Sequence, residues 1–550
     1  MYQEWRGQTF PRMLEYSARN WPENVAVRSG DEAITFADLH CRVRNVALAM
    51  HRLGVQPGDH VAYMMSVSTQ WVEVFFAALS LGAKLVPLNL TWVGDEIAQG
   101  LQLTDAKYLL IGAEHRGEDL VARFIDALPE LSRFEAGRCA FPDLALRTVV
   151  VAGEGASVPP FAFHFERLLE ESNGAQWPPQ GYIPPSPGDA ALLLLTSGTT
   201  SFPKPVIHTH ESMLCGICNY ADGLEATHSD TFLHTTPNYH VGGIISMCIP
   251  IMRGGTSRLM HWFDPEEAMR LIESDPVTLF WGFDTHFAMM RNHPSYGKYR
   301  LSSIKRTMSG SNPATFDAIH AMGFEHVGSL YGTSESMGGS TYFPYRDRFD
   351  FERMKQSNGR PTSGEVRIVS QETGQEVPVG EPGEICVNGP SLFKGYYNMP
   401  DETARCFDAD GFFRTGDYGW VDADGYLYYR GRYKEIIKTG GENVSMLEVE
   451  MFLTSEIPGV RRAVICGVPD EKWGEAITAL IEADPQAGLT EDKVREVCRG
   501  RLAGYKIPKR VFFVGNETWK ITPTGKLNRH SVRDTALALI DAAGDEPKKS

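Results

Sequence analysis

Residues 191–204 read ALLLLTSGTTSFPK, an unbroken apolar run that passes into a loop of small residues and ends in proline and lysine. A continuous apolar run of this length is typical of a strand buried on both faces of a sheet. Residues 210–220 then have the pattern of a helix. Strand, loop and helix in this order predict an α/β fold with the loop at the edge of a sheet.

The loop has the chemical groups of a phosphate-binding site. It offers hydroxyls, a glycine and a cation, and the backbone N–H groups of small residues can approach an oxyanion closely. Neither the P-loop pattern nor a G-x-G-x-x-G dinucleotide fingerprint occurs in the chain. An ordinary surface turn is the alternative, because such clusters are common in turns. The candidate phosphate-binding residues are Thr196, Ser197, Gly198, Thr199, Thr200, Ser201 and Lys204.

Composition excludes several classes of protein. The 550 residues include 69 Asp plus Glu against 53 Lys plus Arg, a net charge of −16, which argues against a nucleic-acid partner. No apolar stretch reaches the roughly 20 residues of a membrane span, and the first residues lack the pattern of a secretory signal. Nine scattered cysteines favour reduced thiols. We therefore expect a cytoplasmic protein without a membrane span.

The rest of the chain predicts further domains. Apolar and amphipathic segments alternate through most of it, as in mixed sheets packed with helices, and alternating segments near 345–430 predict a β-rich subdomain. After Arg432 about 115 residues remain, enough for a small α+β domain. The expected division is a large domain at 1–431, a small domain at 435–540 and a frayed tail at 541–550.

Four more motifs follow the phosphate loop in a fixed order: YGTSE at 331–335, TGD at 415–417, GRYKEIIK at 431–438 with GGEN at 440–443, and ITPTGK at 521–526. In this order and at these separations, they resemble the adenylate-forming superfamily of acyl-CoA synthetases, luciferases and peptide-synthetase adenylation domains. The resemblance runs from about residue 9 to residue 533. It implies a large ATP- and carboxylate-binding domain, a small mobile C-terminal domain, and activation of a carboxylate by ATP as an acyl-adenylate with release of pyrophosphate.

The resemblance also implies roles for single residues. The loop would hold the β- and γ-phosphates, although Ser201 and Pro205 stand where the family usually has glycine. Glu335 would bind Mg²⁺, a hard cation that prefers oxygen ligands, and Ser334, more often threonine in the family, would donate to the α-phosphate. Lys526 would be the catalytic lysine that bridges the carboxylate and the α-phosphate.

The resemblance also implies which residues bind the nucleotide and which serve the second half-reaction, in which the acyl group passes to a nucleophile. Lys434, in a hinge at 432–434, would let the small domain rotate after adenylation, with an ordinary solvated lysine as the alternative. The adenine and ribose candidates are Gly310, Ser311, Tyr331, Gly332, Asp417 and Arg432. The CoA candidates are Lys438, Gly440, Gly441 and Trp473, although a lone tryptophan is more often part of a core.

The carboxylate is predicted to be hydrophobic. Residues 237–243 lack the Asp that amino-acid-activating members generally place there, and methionines adapt to varied apolar shapes. The candidate acyl pocket comprises His240, Trp281, Phe283, His286, Met337 and Gly338, with Met289, Met290 and Gly339 beside them. A fatty, branched or aryl acid therefore fits best, while Asp284 and His286 leave an oxygenated or amine-bearing substrate open.

CoA is the expected acceptor, because no carrier domain or thioesterase motif accompanies the ligase motifs. A carrier protein, an amine or luciferase-like oxidation stays open, since luciferases also carry a lysine at the position of Lys438. A silent nucleotide-binding homologue is a further alternative, as is a zinc site formed by Cys215, Cys218, His208 and His210. Monomer and homodimer are both open.

Overall fold

The computed structural model describes residues 4–135, 139–153, 155–196, 203–309, 313–439, 442–470, 472–499, 501–520 and 527–542. Several predicted site residues lie outside the described residues: Ser197, Gly198, Thr199, Thr200, Ser201, Gly310, Ser311, Gly440, Gly441 and Lys526. Most of the predicted tail, at 543–550, lies outside them as well.

The described α-helices are, in chain order, α1 Phe10–Asn20, α2 Phe36–Arg52, α3 Thr69–Ser80, α4 Asp95–Leu103, α5 Leu120–Ala127, α6 Phe165–Ser172, α7 His210–Gly223, α8 Val241–Arg253, α9 Pro265–Ser274, α10 Asp284–Asn292, α11 Pro313–Ala321, α12 Phe351–Gln356, α13 Pro400–Cys406, α14 Met446–Glu456, α15 Glu491–Cys498 and α16 Arg529–Ala542.

The described strands are, in chain order, β1 Val25–Ser29, β2 Glu32–Thr35, β3 His60–Met64, β4 Lys84–Pro87, β5 Tyr108–Gly112, β6 Glu114–His115, β7 Glu118–Asp119, β8 Thr148–Ala152, β9 Ala162–His164, β10 Ala190–Leu195, β11 Pro205–Thr209, β12 Thr231–His234, β13 Thr256–Leu259, β14 Leu279–Trp281, β15 Arg306–Ser309, β16 His326–Tyr331, β17 Thr341–Tyr342, β18 Arg360–Pro361, β19 Glu365–Val369, β20 Gly383–Asn388, β21 Gly395–Tyr396, β22 Phe413–Val421, β23 Leu427–Arg432, β24 Ile436–Thr439, β25 Glu442–Ser445, β26 Val460–Asp470, β27 Gly474–Ala483 and β28 Arg510–Phe513.

Two large mixed sheets form the main body of the described chain. One has the order β18-β17-β16-β15-β14-β12-β13-β1-β2 and the other β21-β11-β10-β4-β3-β5-β8-β9. A third sheet, β19-β20-β22-β23, is the predicted β-rich subdomain. A fourth sheet, β25-β24-β27-β26 with β28 parallel to β27, belongs to the C-terminal part.

The main core lies between the two large sheets. Helix α3 is buried on all sides from Trp71 to Ser80, as expected for a helix that is apolar all round and is enclosed by protein. Alternate residues of each central strand point to opposite cores, so that Phe232 faces the main core and Leu233 faces the helices that cover the outer side. This layering explains the unbroken apolar run of β10, which is buried on both faces.

The C-terminal part has its own cores. Its sheet packs one face against α14 and α15, through residues such as Val449 and Val494, and the other face against α16, through Val532 and Ala536. Ser445, a residue type that commonly caps helices, caps α14, because its hydroxyl accepts a hydrogen bond from the Glu448 N–H. The mixed-sheet α/β fold with an α+β C-terminal part is confirmed.

Several predicted elements differ in their bounds. Residues 277–280 have the sequence pattern of a strand, but β14 begins two residues later, and residues 491–502 have the pattern of a helix, but α15 ends at Cys498. Strand β11, which immediately follows the phosphate loop, was missed because its residues read as part of the loop. All nine cysteines are free thiols. None of the described helices combines the length and the apolar character that a membrane crossing requires.

Candidate active site

The two ends of the phosphate loop are held together where β10 and β11 pair as antiparallel neighbours. The Thr196 N–H donates to the Lys204 carbonyl at 3.1 Å, and the Lys204 N–H donates to the Thr196 hydroxyl at 3.2 Å. The loop therefore leaves and re-enters the sheet at one point, which brings Lys204 to the edge of the sheet where β10 ends.

Ser334 and Glu335 lie on a 3₁₀ turn that follows β16 of the other large sheet. Three contacts from the phosphate-loop sheet hold this turn. His208 Nε2 lies 2.7 Å from the Ser334 carbonyl, the Phe393 N–H donates to the Glu335 carbonyl at 2.7 Å, and the Tyr396 hydroxyl donates to Glu335 Oε1 at 2.7 Å. The turn is thus fixed between the two large sheets.

His208 acts here as a hydrogen-bond donor and not as a metal ligand. Burial lowers its pKa to about 4, so that the imidazole is neutral. Since Nε2 faces the carbonyl of Ser334, that nitrogen carries the proton, and Nδ1 accepts from the Ser212 hydroxyl at 3.2 Å. Both nitrogens are engaged within the protein.

Lys204 points toward the same turn. Its ammonium pairs with the Glu402 carboxylate at 2.8 Å and lies 5.0 Å from the centre of the Tyr396 ring. Lys204 and Glu335 therefore contact opposite parts of one tyrosine side chain, the ring face and the hydroxyl. A cation of the phosphate loop and a candidate metal-binding carboxylate are brought to the same place.

The residues around Glu335 fit a divalent cation such as Mg²⁺. Glu335 is half-buried, and among the described residues its second carboxylate oxygen has no hydrogen-bond partner. A carboxylate oxygen is the ligand type that this hard cation prefers, with bound phosphates completing the coordination. The donor set therefore agrees with the metal that the sequence predicts.

Asp417 is the centre of a second cluster. Its carboxylate accepts a hydrogen bond from the Tyr331 hydroxyl at 2.7 Å and lies 2.8 Å from the Arg432 guanidinium. Burial raises the pKa of Asp417 to about 6, Arg432 and Tyr331 act in the opposite direction, and the nearby Glu335 adds to the rise. The structure therefore places Tyr331, Asp417 and Arg432 together and close to Glu335.

Gly332 is required by a close approach of two backbone segments. A Cβ at this position would lie 1.9 Å from the carbonyl oxygen of Gly338. Any side chain would push the segment after Glu335 away from β16. This contact explains the glycine next to Tyr331 without any role in ligand binding.

Trp281, Met337 and Gly338 of the predicted acyl pocket lie on the main-core side. The Trp281 ring covers Gly242, where a Cβ would lie 3.2 Å away, and its centre is 6.1 Å from that of Tyr220. The Tyr220 hydroxyl donates to the Gly338 carbonyl. Because Met337 and Gly338 directly follow the Ser334–Ser336 turn, this apolar wall adjoins the candidate metal site.

The other predicted pocket residues are nearer the surface. His240 precedes α8, with its ring centre 4.7 Å from that of Tyr239. Phe283 is 47% exposed, and its N–H donates to His286 Nδ1 at 3.1 Å. Phe283 and His286, at the start of α10, lie on the outer side of Trp281. The ring centres of Trp281 and Phe283 are 6.3 Å apart.

The prediction that Met289 and Met290 share this wall is not supported by their environments. Met290 is fully buried in the core between the sheet and the outer helices, with Phe280 and Phe287, whereas Met289 is 47% exposed. The placement of α10 explains why neither methionine reaches the wall, because α10 packs against the face of β14 opposite to Trp281.

Two CoA candidates lie near each other where the ends of β24 and β27 pair in the C-terminal sheet. Thr439, next to Lys438, pairs with Gly474, next to Trp473. The ammonium groups of Lys472 and Lys509 lie 5.0 and 4.5 Å from the Trp473 ring, so that the ring is only partly covered and is surrounded by positive charge. The backbone of Lys434 lies in the 3₁₀ turn Tyr433–Glu435, directly after β23.

The zinc alternative finds no support in the geometry. Cys215 and Cys218 are buried on α7, and His208 uses both nitrogens for other contacts. In the parts of the chain that the structure covers, no group of three or more His, Cys, Asp or Glu residues is arranged to hold a metal ion.

Sequence reasoning missed the side chains that position the site. The sequence predicts His208 only as a zinc ligand and gives no signal for Tyr396 or Glu402. Their partners, Ser334, Glu335 and Lys204, stand 126, 61 and 198 positions away in the chain. No local pattern connects residues at such separations.

Comparisons with known proteins agree with this geometry. A family model described as AMP-binding enzyme matches residues 14–397, and one described as AMP-binding enzyme C-terminal domain matches residues 448–526. A feruloyl-CoA synthase of an Amycolatopsis species is 33% identical over 521 residues, which are 94% of this chain and 96% of that protein. The long-chain-fatty-acid–CoA ligase FadD13 of Mycobacterium tuberculosis is 31% identical over 514 residues, 93% of this chain and 95% of the relative.

Among solved structures, ATP-bound MatB from Rhodopseudomonas palustris superimposes with a TM-score of 0.81 at 26% identity, covering 96% of this chain and 98% of that chain. The family models, the relatives and the fold therefore agree with the motif order in the sequence. The chain belongs to the AMP-binding enzyme family, within the superfamily of adenylate-forming enzymes.

Proposed function

We propose that the protein is an ATP-dependent acyl-CoA synthetase. It activates a hydrophobic carboxylate, whether fatty, branched or aryl, as an acyl-adenylate with release of pyrophosphate, and then forms the CoA thioester by alternation of its two domains. The observation that carries the proposal is the proximity of two clusters: Tyr331, Asp417 and Arg432 on one side, and Glu335 with Lys204 on the other.

These clusters suit the two ends of ATP. The ionised Asp417 carboxylate can accept hydrogen bonds from both ribose hydroxyls, with Tyr331 beside the adenine. Glu335, Lys204 and the hydroxyls of the phosphate loop would hold the polyphosphate. Bound Mg²⁺ would neutralise charge that develops on the phosphates.

Adenylation then requires stabilisation of charge on the α-phosphate. Ser334 would donate to this phosphate, and Lys526 would reach it from the small domain, since a point charge on a flexible stem suits that task. The described residues near Lys526 support its approach: Arg529 pairs with Glu450 of α14 and lies near Tyr429, which neighbours both Asp417 and Tyr331.

The second half-reaction would use the other face of the small domain. Rotation about Lys434 would remove Lys526 and bring Gly440 and Gly441 to the site. Lys438 and Trp473 lie near each other where the ends of β24 and β27 pair, and an aromatic ring with nearby cations suits the nucleotide and phosphates of CoA.

The relatives named above support a hydrophobic acid and a CoA acceptor, because one is a feruloyl-CoA synthase and another a long-chain-fatty-acid–CoA ligase. The apolar wall formed by Trp281, Tyr220 and Met337 supports the same class of acid. A carrier-protein acceptor is the second candidate, favoured by a 28% identical relative described as a fatty acid–[acyl-carrier-protein] ligase.

One experiment tests the proposal. Pyrophosphate release is measured with a panel of fatty, branched, aryl and small polar acids, each with and without CoA, and the thioester is detected by mass spectrometry. We expect release with hydrophobic acids and a CoA thioester as product. Release without any CoA thioester would favour another acceptor, and no release with any acid would favour a nucleotide-binding homologue without turnover.

A further inference from the structure

Tyr396 touches both halves of the candidate polyphosphate site. Its hydroxyl donates to Glu335 Oε1 at 2.7 Å, and the Lys204 ammonium lies over its ring, 5.0 Å from the ring centre. The side chain is only 7% exposed, so neither contact is an accident of a mobile surface residue. A hydrogen bond to a carboxylate is among the stronger kinds in proteins and also restricts the rotation of the carboxylate.

Helix α13 holds Tyr396 in this orientation. The Thr403 hydroxyl accepts a hydrogen bond from the Tyr396 N–H at 2.9 Å. Gly395, with φ of +142°, has no room for a side chain, because a Cβ would lie 2.8 Å from Thr403. The strand β21 and the start of α13 therefore form one unit that presents the tyrosine to Glu335.

The same helix supplies the partner of Lys204. Glu402 pairs with the lysine at 2.8 Å, and both side chains are about one-third exposed, at 34% and 38%. An ion pair at this exposure is weak and is easily replaced by a stronger anion. A polyphosphate carries more charge than one carboxylate, so it can take Lys204 from Glu402.

We propose that Tyr396 is a positioning residue that orients the metal-binding carboxylate of Glu335 and supports Lys204, while Glu402 holds Lys204 on the tyrosine ring until polyphosphate replaces it. This inference rests on the proposed function, in which Glu335 binds Mg²⁺ and Lys204 contacts the phosphates of ATP. In this inference the Tyr396 hydroxyl affects metal binding, whereas the Tyr396 ring and Glu402 affect nucleotide binding. The two effects can be measured separately.

The first test replaces Tyr396→Phe, which removes the hydroxyl and keeps the ring. Binding of Mn²⁺ in the presence of ATP is measured from the electron paramagnetic resonance signal of free Mn²⁺, and ATP binding without divalent metal is measured by calorimetry in EDTA. Loss of one hydrogen bond to a charged group predicts a Kd for Mn²⁺ about tenfold higher. The Kd for ATP in EDTA should not change.

The matched control is Tyr397→Phe, because the Tyr397 hydroxyl bonds Asp105, away from Glu335. Equal Mn²⁺ affinity in both variants and the wild type would overturn the inference. If Tyr396→Phe raises the Kd for Mn²⁺ and the Kd for ATP in EDTA by the same factor, the inference is also overturned, because that result indicates a general disturbance of the site. Excess Mg²⁺ should restore the kcat of Tyr396→Phe, which a purely structural defect would not allow.

The second test replaces Glu402→Gln, with the exposed neighbour Asp401→Asn as control. Removal of the competing carboxylate should lower the Kd for ATP in EDTA by a few-fold, and the control should leave it unchanged. A higher Kd for Glu402→Gln would overturn the competition between Glu402 and polyphosphate.

The inference and the proposed function can fail separately. The binding measurements need ATP and metal but no acid and no CoA. If the wild type binds ATP and Mn²⁺ yet activates no acid, the proposed function fails, and the role of Tyr396 stands when Tyr396→Phe weakens Mn²⁺ binding as expected. If the enzyme activates acids and Tyr396→Phe binds Mn²⁺ as the wild type does, only the inference fails.

Discussion

Asp417 and Arg432 face each other on paired strands of the third sheet, with 2.8 Å between the carboxylate and the guanidinium. Asp417 is the candidate ribose ligand, and Arg432 stands two residues before the predicted hinge residue Lys434. The ion pair therefore links the candidate ribose ligand to the proposed hinge before the small domain. A bound nucleotide that engages Asp417 would act at the base of the hinge.

The raised pKa of Asp417 predicts opposite pH dependences for stability and for ATP binding. In the folded protein the pKa is about 6, against an ordinary value of 3.8. Protonated Asp417 thus adds to the free energy of unfolding. This contribution is fully present below about pH 3.8 and is lost as the pH rises through 6. ATP binding needs the ionised form and should weaken as the pH falls through 6.

Asp417→Asn tests the pH dependence of ATP binding. Loss of a charged acceptor should raise the KM for ATP by about 10- to 100-fold at pH 7.5. The ratio of KM values between variant and wild type should decrease toward pH 5, because protonation removes the advantage of the wild type, and titration of ATP itself cancels in the ratio. A ratio that does not vary with pH would contradict the role of Asp417.

Lys526→Ala should abolish acyl-adenylate formation and spare thioester formation from chemically supplied acyl-adenylate. Removal of one preorganised cation from the transition state predicts a loss of about 10²- to 10³-fold in the adenylation rate. Pyrophosphate release and thioester formation are measured separately. Lys520→Ala, at an exposed lysine of the same segment, is the control. Equal loss of both steps would refute the assigned role.

Lys434→Pro should slow thioester formation more than adenylation. Proline fixes φ and so restricts the backbone change that a rotation of the small domain requires. Single-turnover measurements of the two half-reactions give the comparison, and Lys434→Ala, which removes the charge and keeps the backbone freedom, should resemble the wild type in both. If the proline variant slows adenylation more than thioester formation, Lys434 is not the hinge.

Trp281→Ala should shift the acid preference toward larger or longer substrates, because the ring that closes the wall over Gly242 is removed. Removal of a buried aromatic side chain should also cost about 3–5 kcal/mol of stability. The measurement is kcat/KM over a series of acids of increasing length, together with the melting temperature.

Gly242→Ala is the complementary variant. Its new methyl group would press on the tryptophan ring at 3.2 Å and should narrow the range of acids. If both variants keep the preference of the wild type, Trp281 does not line the acyl site.

Some parts of the site could be predicted because their signal is local. The candidate phosphate loop between Thr196 and Lys204 is indicated by its own composition, and the strand before it by an apolar run that is typical of a sheet covered on both faces. Met290 was misassigned for the opposite reason. Its side depends on which face of β14 the helix α10 covers, and this choice is made by packing against Phe280 and Phe287.

The amino-acid sequence alone determined the fold class, the family and the order of the motifs, because each motif is a short segment whose residues suffice to recognise it. Only the tertiary structure decided that His208 contacts the Ser334 carbonyl, that the Tyr396 hydroxyl donates to Glu335 and that Glu402 pairs with Lys204. The partners in these contacts come from two separate sheets or from distant parts of one. They meet because burial of the shared core brings the sheet edges together, and no local pattern of residues encodes that approach.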